Sequence, residues 1–323
     1  MNRGAPGGSK GGKGRKAGGA SKASSRGKGP PRGASSRGAQ SGGGSKGAPR
    51  RSDRGRGAST GRAAAGAPAR RAAPKGLGGE QVEGRQAVRE LLIAGRRKVH
   101  EIWVATDLED TGVISDIVDL AASKRVPVHE VARRRLDSQA RSETPQGVLA
   151  KAAALPEAEL DDLVRRRPGG PAPFLVAVDG VTDPGNLGAL LRSAEGAGVR
   201  GVVLPRHRAV HVTPTVAKAA AGAVEYLDIA LVPGLPGALQ RLSPQKVWVV
   251  GLDDAADRSL FDLGDLATEP LVLVLGAEGA GLSRLTRERC DLVVSIPMLG
   301  RLSSLNVSAA AALACFEVAR RRR

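Results

Sequence analysis

The 323-residue chain is poor in cysteine and in aromatic side chains, and this scarcity excludes several classes of protein. Its only cysteines, Cys290 and Cys315, have no metal-type spacing and no second pair, which indicates reduced thiols and a cytoplasmic protein. No apolar run approaches the roughly 18 residues that suggest a membrane span, and no apolar segment follows the basic start as in a secretory signal. The histidines are dispersed, so no metal site is predicted.

Acidic residues are almost absent from the first 78 positions. Residues 1–78 contain 19 Lys and Arg against one acid, Asp53, together with 22 of the 44 glycines and no aromatic residue, Val or Ile. Such a segment cannot bury enough apolar surface to offset the entropy of ordering, so it is predicted to be a disordered basic tail. A flexible polycation suits a phosphate backbone, and a solubilising extension without a dedicated role is the alternative.

From residue 79 onward the charges balance and the pattern is that of folded α/β structure. Residues 79–153 alternate between strand-like and helix-like runs, which is typical of a small α/β domain. Residues 154–172 combine acids, three arginines and a Pro-Gly-Gly-Pro run, and they are predicted to be a linker. Within residues 173–323, strand-like runs lie at 174–178, 201–204, 227–232, 247–251, 271–275 and 292–296. Uninterrupted apolar runs indicate strands buried on both faces, so a doubly wound parallel sheet is predicted.

Three of these strands lead into turns that carry polar side chains before the next helix. The blocks are residues 183–192 (DPGNLGALLR), 275–282 (LGAEGAGL) and 296–308 (IPMLGRLSSLNVS). Open α/β sheets bind ligands at the carboxyl ends of their strands, so the three turns are predicted to form one site. The second block matches neither the dinucleotide fingerprint nor a Walker loop. Helix caps and turns would explain each block singly, whereas the coincidence of all three favours a site.

In order and spacing, the blocks resemble the SpoU family of RNA ribose 2′-O-methyltransferases, within the knotted SPOUT superfamily. The resemblance covers residues 79–323 and implies a C-terminal trefoil knot, a homodimer and S-adenosylmethionine as the methyl donor. It implies that Gly276, Ile296 and Leu305 contact the donor, largely through backbone groups. The catalytic and substrate-positioning residues that it implies are Asn186, Arg192, Glu278, Ser304 and Asn306.

The N-terminal folded part resembles the ribosomal-L30e-like RNA-binding domain of many SpoU enzymes. The matching segments are residues 82–88 (VEGRQAV) and 146–148 (QGV), although Pro145 replaces the histidine that usually precedes the second segment. Arg85 is therefore a candidate RNA contact, with a solvated arginine as the alternative. The two-domain layout is most similar to enzymes that methylate a guanosine ribose in large-subunit (23S) ribosomal RNA. A transfer-RNA enzyme, an antibiotic-site ribosomal RNA enzyme and a non-catalytic RNA-binding or ribosome-assembly protein are the alternatives.

The implied reaction sets requirements that these residues can meet. Methyl transfer from a sulfonium needs no metal, and positioning the hydroxyl oxygen roughly 3–3.5 Å from the methyl carbon supplies much of the rate. Arginine keeps its proton in nearly any protein, so Arg192 is expected to clamp a phosphate beside the donor site of the other subunit and to lower the hydroxyl's pKa. Asn186, Ser304 and Glu278 would orient the ribose and accept the proton, directly or through water. A buried Glu278 without a partner would cost several kcal/mol, so this carboxylate is expected to be paired or to take part in the chemistry.

Removal of residues 1–78 is expected to flatten the salt dependence of RNA affinity while changing kcat little. About 0.7 counterions are released per single-strand phosphate neutralised, and the catalytic blocks lie elsewhere in the chain. Equilibrium binding of a ribosomal RNA fragment at several salt concentrations, with full-length and truncated chains, measures the slope. An unchanged slope after truncation would remove the RNA-binding role from the tail.

Overall fold

The computed structural model describes residues 76–109, 111–207 and 211–323, which form two lobes, each built on one β-sheet. The N-terminal lobe contains β1 (Gln81–Glu83), α1 (Arg85–Ala94), β2 (Val99–Ala105), α2 (Gly112–Ser123), β3 (Val128–Val131), α3 (Arg133–Gln139) and β4 (Val148–Ala152). The C-terminal lobe contains α4 (Leu160–Val164), β5 (Phe174–Val178), α5 (Pro184–Gly196), β6 (Gly201–Pro205), α6 (Pro214–Ala219), β7 (Asp228–Val232), α7 (Leu235–Leu242), β8 (Trp248–Leu252), β9 (Leu271–Leu275), α8 (Arg284–Arg287), β10 (Leu292–Val294) and α9 (Val307–Arg321). Short 3₁₀ turns lie at Ala223–Glu225, Ser243–Gln245, Leu260–Asp262 and Gly264–Thr268. No helix within these ranges is long and apolar enough to cross a membrane.

The N-terminal lobe is a four-stranded sheet with the strand order β1-β4-β2-β3. The central β4 is antiparallel to β1 and β2, and β3 runs parallel to β2. Helices α1 and α2 cover one face, and α1 contributes a buried stripe of Ala87, Val88, Leu91 and Leu92. The sequence pattern does not predict β1 or α3. The first is only three residues long, and α3 buries a single side chain, Leu136, so neither gives a clear periodic signal.

The C-terminal lobe is a six-stranded sheet in which every neighbouring pair of strands is parallel, in the order β10-β8-β9-β5-β6-β7. Along the central β5, Phe174, Val176 and Val178 enter a core shared with α5 and α9. Leu175 and Ala177 point to the other core, which includes α4 and α7. This alternation follows from the period of two along a strand, and the predicted parallel α/β sheet with helices on both faces is confirmed.

Helix α5 is held at backbone distance from α6 by a glycine. A Cβ added to Gly188 would lie 2.4 Å from the Cβ of Ala219 and 2.7 Å from the carbonyl oxygen of Val216. Any side chain at position 188 would therefore push the two helices apart. Because α5 also carries Asn186 and Arg192, this close packing fixes the directions in which both side chains leave the helix.

The two lobes are joined by a buried ion pair. The guanidinium of Arg97 donates from Nη2 to Oε1 of Glu225 at 2.6 Å and from Nε to Oε2 at 2.9 Å, and both side chains are almost fully buried. Nη1 of Arg97 donates to the carbonyl oxygens of Gly79, at 2.6 Å, and Ala153. The neighbouring Arg96 bonds Asp228 at the start of β7. The orientation of one lobe on the other is thus set by hydrogen bonds in several directions.

Two segments outside the predicted domains pack against the C-terminal lobe. Within the predicted linker, residues 154–172, the amide of Ala158 donates to Ile229 of β7 at 2.9 Å, and α4 is packed into the second core. Residues 76–78, at the end of the predicted tail, are also folded, since Leu77 is 1% exposed and its carbonyl accepts from Val212 at 2.9 Å. The rest of the predicted tail lies outside the described residues. A truncation that removes only the tail should therefore stop before Gly76.

Replacing Glu225 by Gln is expected to lower the free energy of unfolding by about 3 kcal/mol, because Arg97 would keep a buried charge without its carboxylate. Urea unfolding followed by circular dichroism measures the change. The matched control is Glu269→Gln, which removes the carboxylate of an exposed pair with Arg166 and should cost less than about 1 kcal/mol. Equal losses in the two variants would contradict a special role for the buried pair.

Candidate active site

The three turns singled out in the sequence follow strands that end at one edge of the parallel sheet. β5 and β9 are neighbours, with Val178 paired to Leu275 at their carboxyl ends, so the turns after them leave the sheet side by side. The third turn follows β10 and leads to the start of α9. From β5 the sheet continues through β6 and β7 on one side, whereas β8, β9 and β10 lie on the other side. The boundary between β5 and β9 is therefore a topological switch point, which is where open α/β sheets bind ligands.

A closed ring of hydrogen bonds connects one side chain from each turn. Nδ2 of Asn306 donates to Oδ1 of Asn186 at 2.9 Å and to Oε1 of Glu278 at 3.1 Å. Nδ2 of Asn186 donates to Oε2 of Glu278 at 3.0 Å. Side chains that are 92 and 120 residues apart in sequence are thereby held in one cluster. The ring, as this cluster is called below, consists of Asn186, Glu278 and Asn306.

The orientation of both amides in the ring follows from their partners. Oδ1 of Asn306 accepts from the backbone N–H of Ser308 at 2.9 Å and from its hydroxyl at 2.6 Å, which caps α9. A backbone N–H can only donate, so Nδ2 of Asn306 must face Glu278 and Asn186. Asn306 therefore caps α9 with its oxygen and joins the ring with its nitrogen. Asn186 does not cap α5; the cap is Asp183, whose Oδ1 accepts from the amide of Asn186 at 2.6 Å.

Glu278 lies on an exposed loop that folds back on itself. Ala277 and Gly281 exchange two backbone hydrogen bonds of 3.0 Å each, which close the loop around Glu278. A Cβ on Gly276 would lie 2.2 Å from the carbonyl carbon of Gly281, so only glycine fits there. The loop itself fills the space beside Gly276. Glu278 is paired as expected, but it is exposed rather than buried.

A cavity of about 320 Å³ opens beside the ring at the same edge of the sheet. The three residues predicted to contact a methyl donor, Gly276, Ile296 and Leu305, all line it. Glu278 lines it as well and so belongs to both the cavity and the ring. Ser304 lines the cavity without a side-chain hydrogen bond in the described part of the chain. Within residues 76–109, 111–207 and 211–323, no cluster of His, Cys, Asp or Glu is placed to hold a metal ion.

The sequence interpretation missed a pair of acids in the cavity wall, Asp253 and Asp254. Burial alone would raise the pKa of Asp253, but hydrogen bonds from Arg287, at 2.7 Å, and from the amide of Ala255 hold that pKa below its usual range. Asp254 is exposed and has no polar partner among the described residues. The sequence contained a signal for both acids, since only Leu252 separates them from the apolar run at residues 247–251, and ligands are expected at the end of such a strand.

Two predicted site residues lie outside this cluster. Arg192 is exposed on α5, takes no part in the ring and does not line the cavity. Arg192 lies six positions after Asn186 on the helix, which is about 9 Å along the axis and a third of a turn around it. Arg85, at the start of α1, donates from its backbone amide and from Nε to Gln146, at 3.1 Å and 3.3 Å. It is therefore not simply solvated, and it faces a groove that is also lined by Lys218 of the C-terminal lobe.

Two protein families match the chain, each over one lobe. The SpoU rRNA methylase family matches residues 173–316, and the family of RNA 2′-O ribose methyltransferase substrate-binding domains matches residues 81–158. The 23S rRNA (guanosine-2′-O-)-methyltransferase RlmB of Pseudomonas aeruginosa is 42% identical over 246 residues, which cover 75% of this chain and 97% of the relative. The enzyme of the same name from Pectobacterium atrosepticum is 39% identical over 243 residues, covering 75% and 98%.

Solved structures give the same assignment. The SpoU methyltransferase AviRb from Streptomyces viridochromogenes, crystallised with its cofactor AdoMet, aligns with a TM-score of 0.63 and 28% identity over 75% of this chain and 89% of that protein. The AdoMet-bound rRNA methyltransferase from Sinorhizobium meliloti aligns with a TM-score of 0.60 and 25% identity, covering 74% and 86%. The parallel sheet with its strand-end cavity is thus that of an RNA 2′-O-methyltransferase that uses S-adenosylmethionine. The chain belongs to the SpoU family of rRNA methylases.

Replacing Asn306 by Asp tests the ring without removing the helix cap. Aspartate keeps an oxygen for Ser308, but it puts a second carboxylate where an amide donates to Asn186 and Glu278. Lost donors and like-charge repulsion should lower methyl transfer by about 100-fold or more, with little change in melting temperature. The matched control, Ser308→Ala, removes one bond to the same Oδ1 and should stay within about threefold of wild type. An active Asn306→Asp enzyme would show that the ring has no part in the reaction.

Proposed function

We propose that this protein transfers a methyl group from S-adenosylmethionine to the ribose 2′-hydroxyl of a guanosine in 23S ribosomal RNA. The observation that carries the proposal is the junction at Glu278 between the ring and the strand-end cavity, which brings hydrogen-bonding groups to a pocket for a small ligand. The relatives named RlmB support the choice of guanosine and 23S rRNA, because the similarity extends over nearly their whole length.

The residues of the strand-end cavity fit the methyl donor, and this cavity is called the donor cavity below. Its volume of about 320 Å³ lies in the range of small-ligand pockets. Leu252, Leu275 and Val307 offer apolar walls for an adenine ring, and the backbones of Gly276, Ile296 and Leu305 would hold the rest of the molecule. When bound, S-adenosylmethionine supplies a methyl carbon that its sulfonium leaving group activates. The carboxylates of Asp254 and Glu278 complement that positive charge.

The three residues of the ring have different roles in the proposed reaction. Both Nδ2 hydrogens of Asn306 are used within the ring, so Asn306 acts as a positioning residue. Asn186 uses one of its two Nδ2 hydrogens on Glu278 and can direct the other to the ribose. Each oxygen of Glu278 accepts one amide hydrogen and keeps a lone pair for the proton of the 2′-hydroxyl. Ser304, on the cavity wall, would orient the ribose, and water could relay the proton to Glu278.

Arg192 requires a second copy of the chain to take part. In its own subunit it lies apart from the ring, whereas a homodimer would bring it to the partner's donor cavity. Apolar side chains on the loop between β10 and α9, and on α9 itself, are exposed, which favours such an interface. They are Leu299, Leu302, Leu305 and Leu313. In that position Arg192 would clamp the phosphate beside the target ribose and lower the hydroxyl's pKa electrostatically.

The domain plan that we propose follows the family matches. Residues 79–153 form the L30e-like RNA-binding domain, with Arg85 as an RNA contact. Residues 154–172 connect this domain to the SPOUT domain, residues 173–323. The basic tail, predicted as residues 1–78 and shortened here to end before Gly76, adds unspecific phosphate affinity. A C-terminal trefoil knot is supported by the passage of α9 against the β8–β9 connection, where Arg321 donates to Phe261 at 2.8 Å and Arg322 to Ala267 at 2.8 Å.

A reducing, cytoplasmic setting is supported by the thiols. Burial raises the pKa of Cys315 to about 12, and burial together with the nearby Asp291 raises that of Cys290 to about 12. Both thiols therefore stay protonated and unreactive at neutral pH. Neither one suggests a disulfide or a redox role.

The proposal is tested with tritiated S-adenosylmethionine and separate pools of unmodified ribosomal and transfer RNA. Nucleoside analysis should identify 2′-O-methylguanosine in large-subunit RNA, and Arg192→Ala should lower its formation by about 100-fold or more. Donor binding without transfer to any pool, including ribosome-assembly intermediates, would leave a non-catalytic RNA-binding protein. Transfer to transfer RNA alone, or to adenosine, would overturn the assigned substrate.

Subunit mixing provides the control for the position of Arg192. Inactive Arg192→Ala and Asn306→Asp chains, when co-expressed, should form mixed dimers with one intact site and regain about a quarter of wild-type activity. As the control, Arg192→Ala chains co-expressed only with further copies of the same variant should regain no activity. No recovery in the first mixture would mean that Arg192 acts within its own subunit.

A further inference from the structure

Two runs of arginine that the proposed reaction does not use converge at the edge of the sheet opposite the donor cavity. Residues 165–167 follow α4, and residues 320–323 lie at the C-terminal end of α9, more than 150 positions later. Arg200, which comes just before β6, joins them. The strands of the central sheet begin here, and their five residues of about 3.3 Å each put this edge about 16 Å from the catalytic one.

The eight arginines of this region divide into two groups of four. Four are paired with carboxylates, and these pairs are Arg165 with Asp162, Arg166 with Glu269, and Arg320 and Arg321 with Glu317. The other four have no carboxylate within ion-pair distance in the described part of the chain. They are Arg167, Arg200, Arg322 and Arg323, and all four line one cavity of about 470 Å³. We call it the basal arginine cavity; it has no Asp or Glu among its lining residues.

Two of these four guanidiniums are held rigidly without being neutralised. Arg322 donates to the carbonyl oxygens of Ala172 and Glu269 at 2.6 Å each, and it lies 4.9 Å above the ring of Phe174. Arg200 donates to the carbonyl oxygens of Arg165 at 2.6 Å and Asp162 at 3.0 Å. Carbonyl dipoles fix the direction of a guanidinium but leave its full positive charge in place.

The positive charge is therefore in excess. Burial and the neighbouring charge of Arg167 lower the pKa of Arg200 and outweigh the opposite effect of Asp228 and Asp162, and the buried Nε of Arg200 has no hydrogen-bond partner among the described residues. The side chains of Arg167 and Arg323 make no hydrogen bond or ion pair with any described residue, so their donors are available to a ligand. An anion would complete this arrangement.

We propose that the basal arginine cavity binds the phosphate backbone of the substrate RNA at a second site, distant from the methylated ribose. This inference rests on the proposed function for the identity of the polyanion. Arg167 and Arg323 would contact the phosphates directly, while Arg200 and Arg322 supply a fixed positive field behind them. Phe316, half-exposed on the cavity wall, offers an apolar surface for a neighbouring base or ribose.

The test compares two double variants of the full-length chain that remove the same charge. Arg167→Gln with Arg323→Gln removes the unpaired arginines, and the control, Arg166→Gln with Arg320→Gln, removes paired arginines from the same two runs. Binding of a 23S rRNA fragment is measured by fluorescence anisotropy at several salt concentrations. The first variant should bind roughly tenfold more weakly, with a salt slope smaller by about 1.4 for two single-strand phosphates. The control should change affinity less than about twofold.

Each outcome decides the matter. Equal weakening by both variants would mean that RNA responds only to net charge, and no weakening in the first would mean that RNA does not reach the cavity; either result overturns the proposal. Guanosine monophosphate that competes as well as the RNA fragment would reassign the cavity to free nucleotides. The binding test does not depend on methyl transfer, so wild-type protein that binds RNA but transfers no methyl group would contradict the proposed reaction and leave this site standing.

Discussion

The pairing of β5 with β9 is the contact on which the geometry of the C-terminal lobe depends. Both strands are apolar throughout and buried on both faces, so their position at the centre of the sheet follows from the hydrophobic effect alone. Parallel neighbours lie about 4.8 Å apart, and their carboxyl ends coincide. The turns that bear Asn186 and Glu278 are therefore adjacent before any polar interaction forms. The ring refines a proximity that the core has already imposed.

Asn306 adds a second constraint, because one side chain caps a helix and completes the site. Its oxygen belongs to α9 and its nitrogen to the ring, so α9 cannot shift at its first turn without breaking the contact with Glu278. Helix α9 also packs on α5, which carries Asn186. Strand pairing, helix packing and the ring thus hold the same three residues from different directions. Pre-organisation of this kind is what methyl transfer to a poorly reactive hydroxyl requires.

Long apolar signals were readable from the sequence, and features that depend on three-dimensional convergence were not. The pattern predicts β5 and β9 with their observed bounds, since uninterrupted apolar runs leave few alternatives. It fails for α3, whose arginine-rich sequence gives no periodic stripe. The motif resemblance supplied Asn186, Glu278 and Asn306, but no sequence pattern gives the exposure of Glu278 or the separation of Arg192 from the ring. The meeting of Arg167 with Arg323 depends on where α4 and α9 end, which only the fold determines.

The charges at the two edges of the C-terminal lobe have opposite signs, and this difference bears on the proposed dimer. The donor cavity presents the carboxylates of Glu278 and Asp254, which suit a cationic sulfonium but repel an RNA phosphate. In the proposed scheme, a subunit on its own would attract RNA at its basal arginine cavity and repel it at the edge assigned to catalysis. A cation has to enter the catalytic edge from outside the ring, and Arg192 lacks a partner of its own among the described residues. Supplied by a second subunit, as we propose, it would offset the repulsion at the one phosphate that lies beside the reacting ribose, so the charge distribution and the position of Arg192 both favour the proposed dimer.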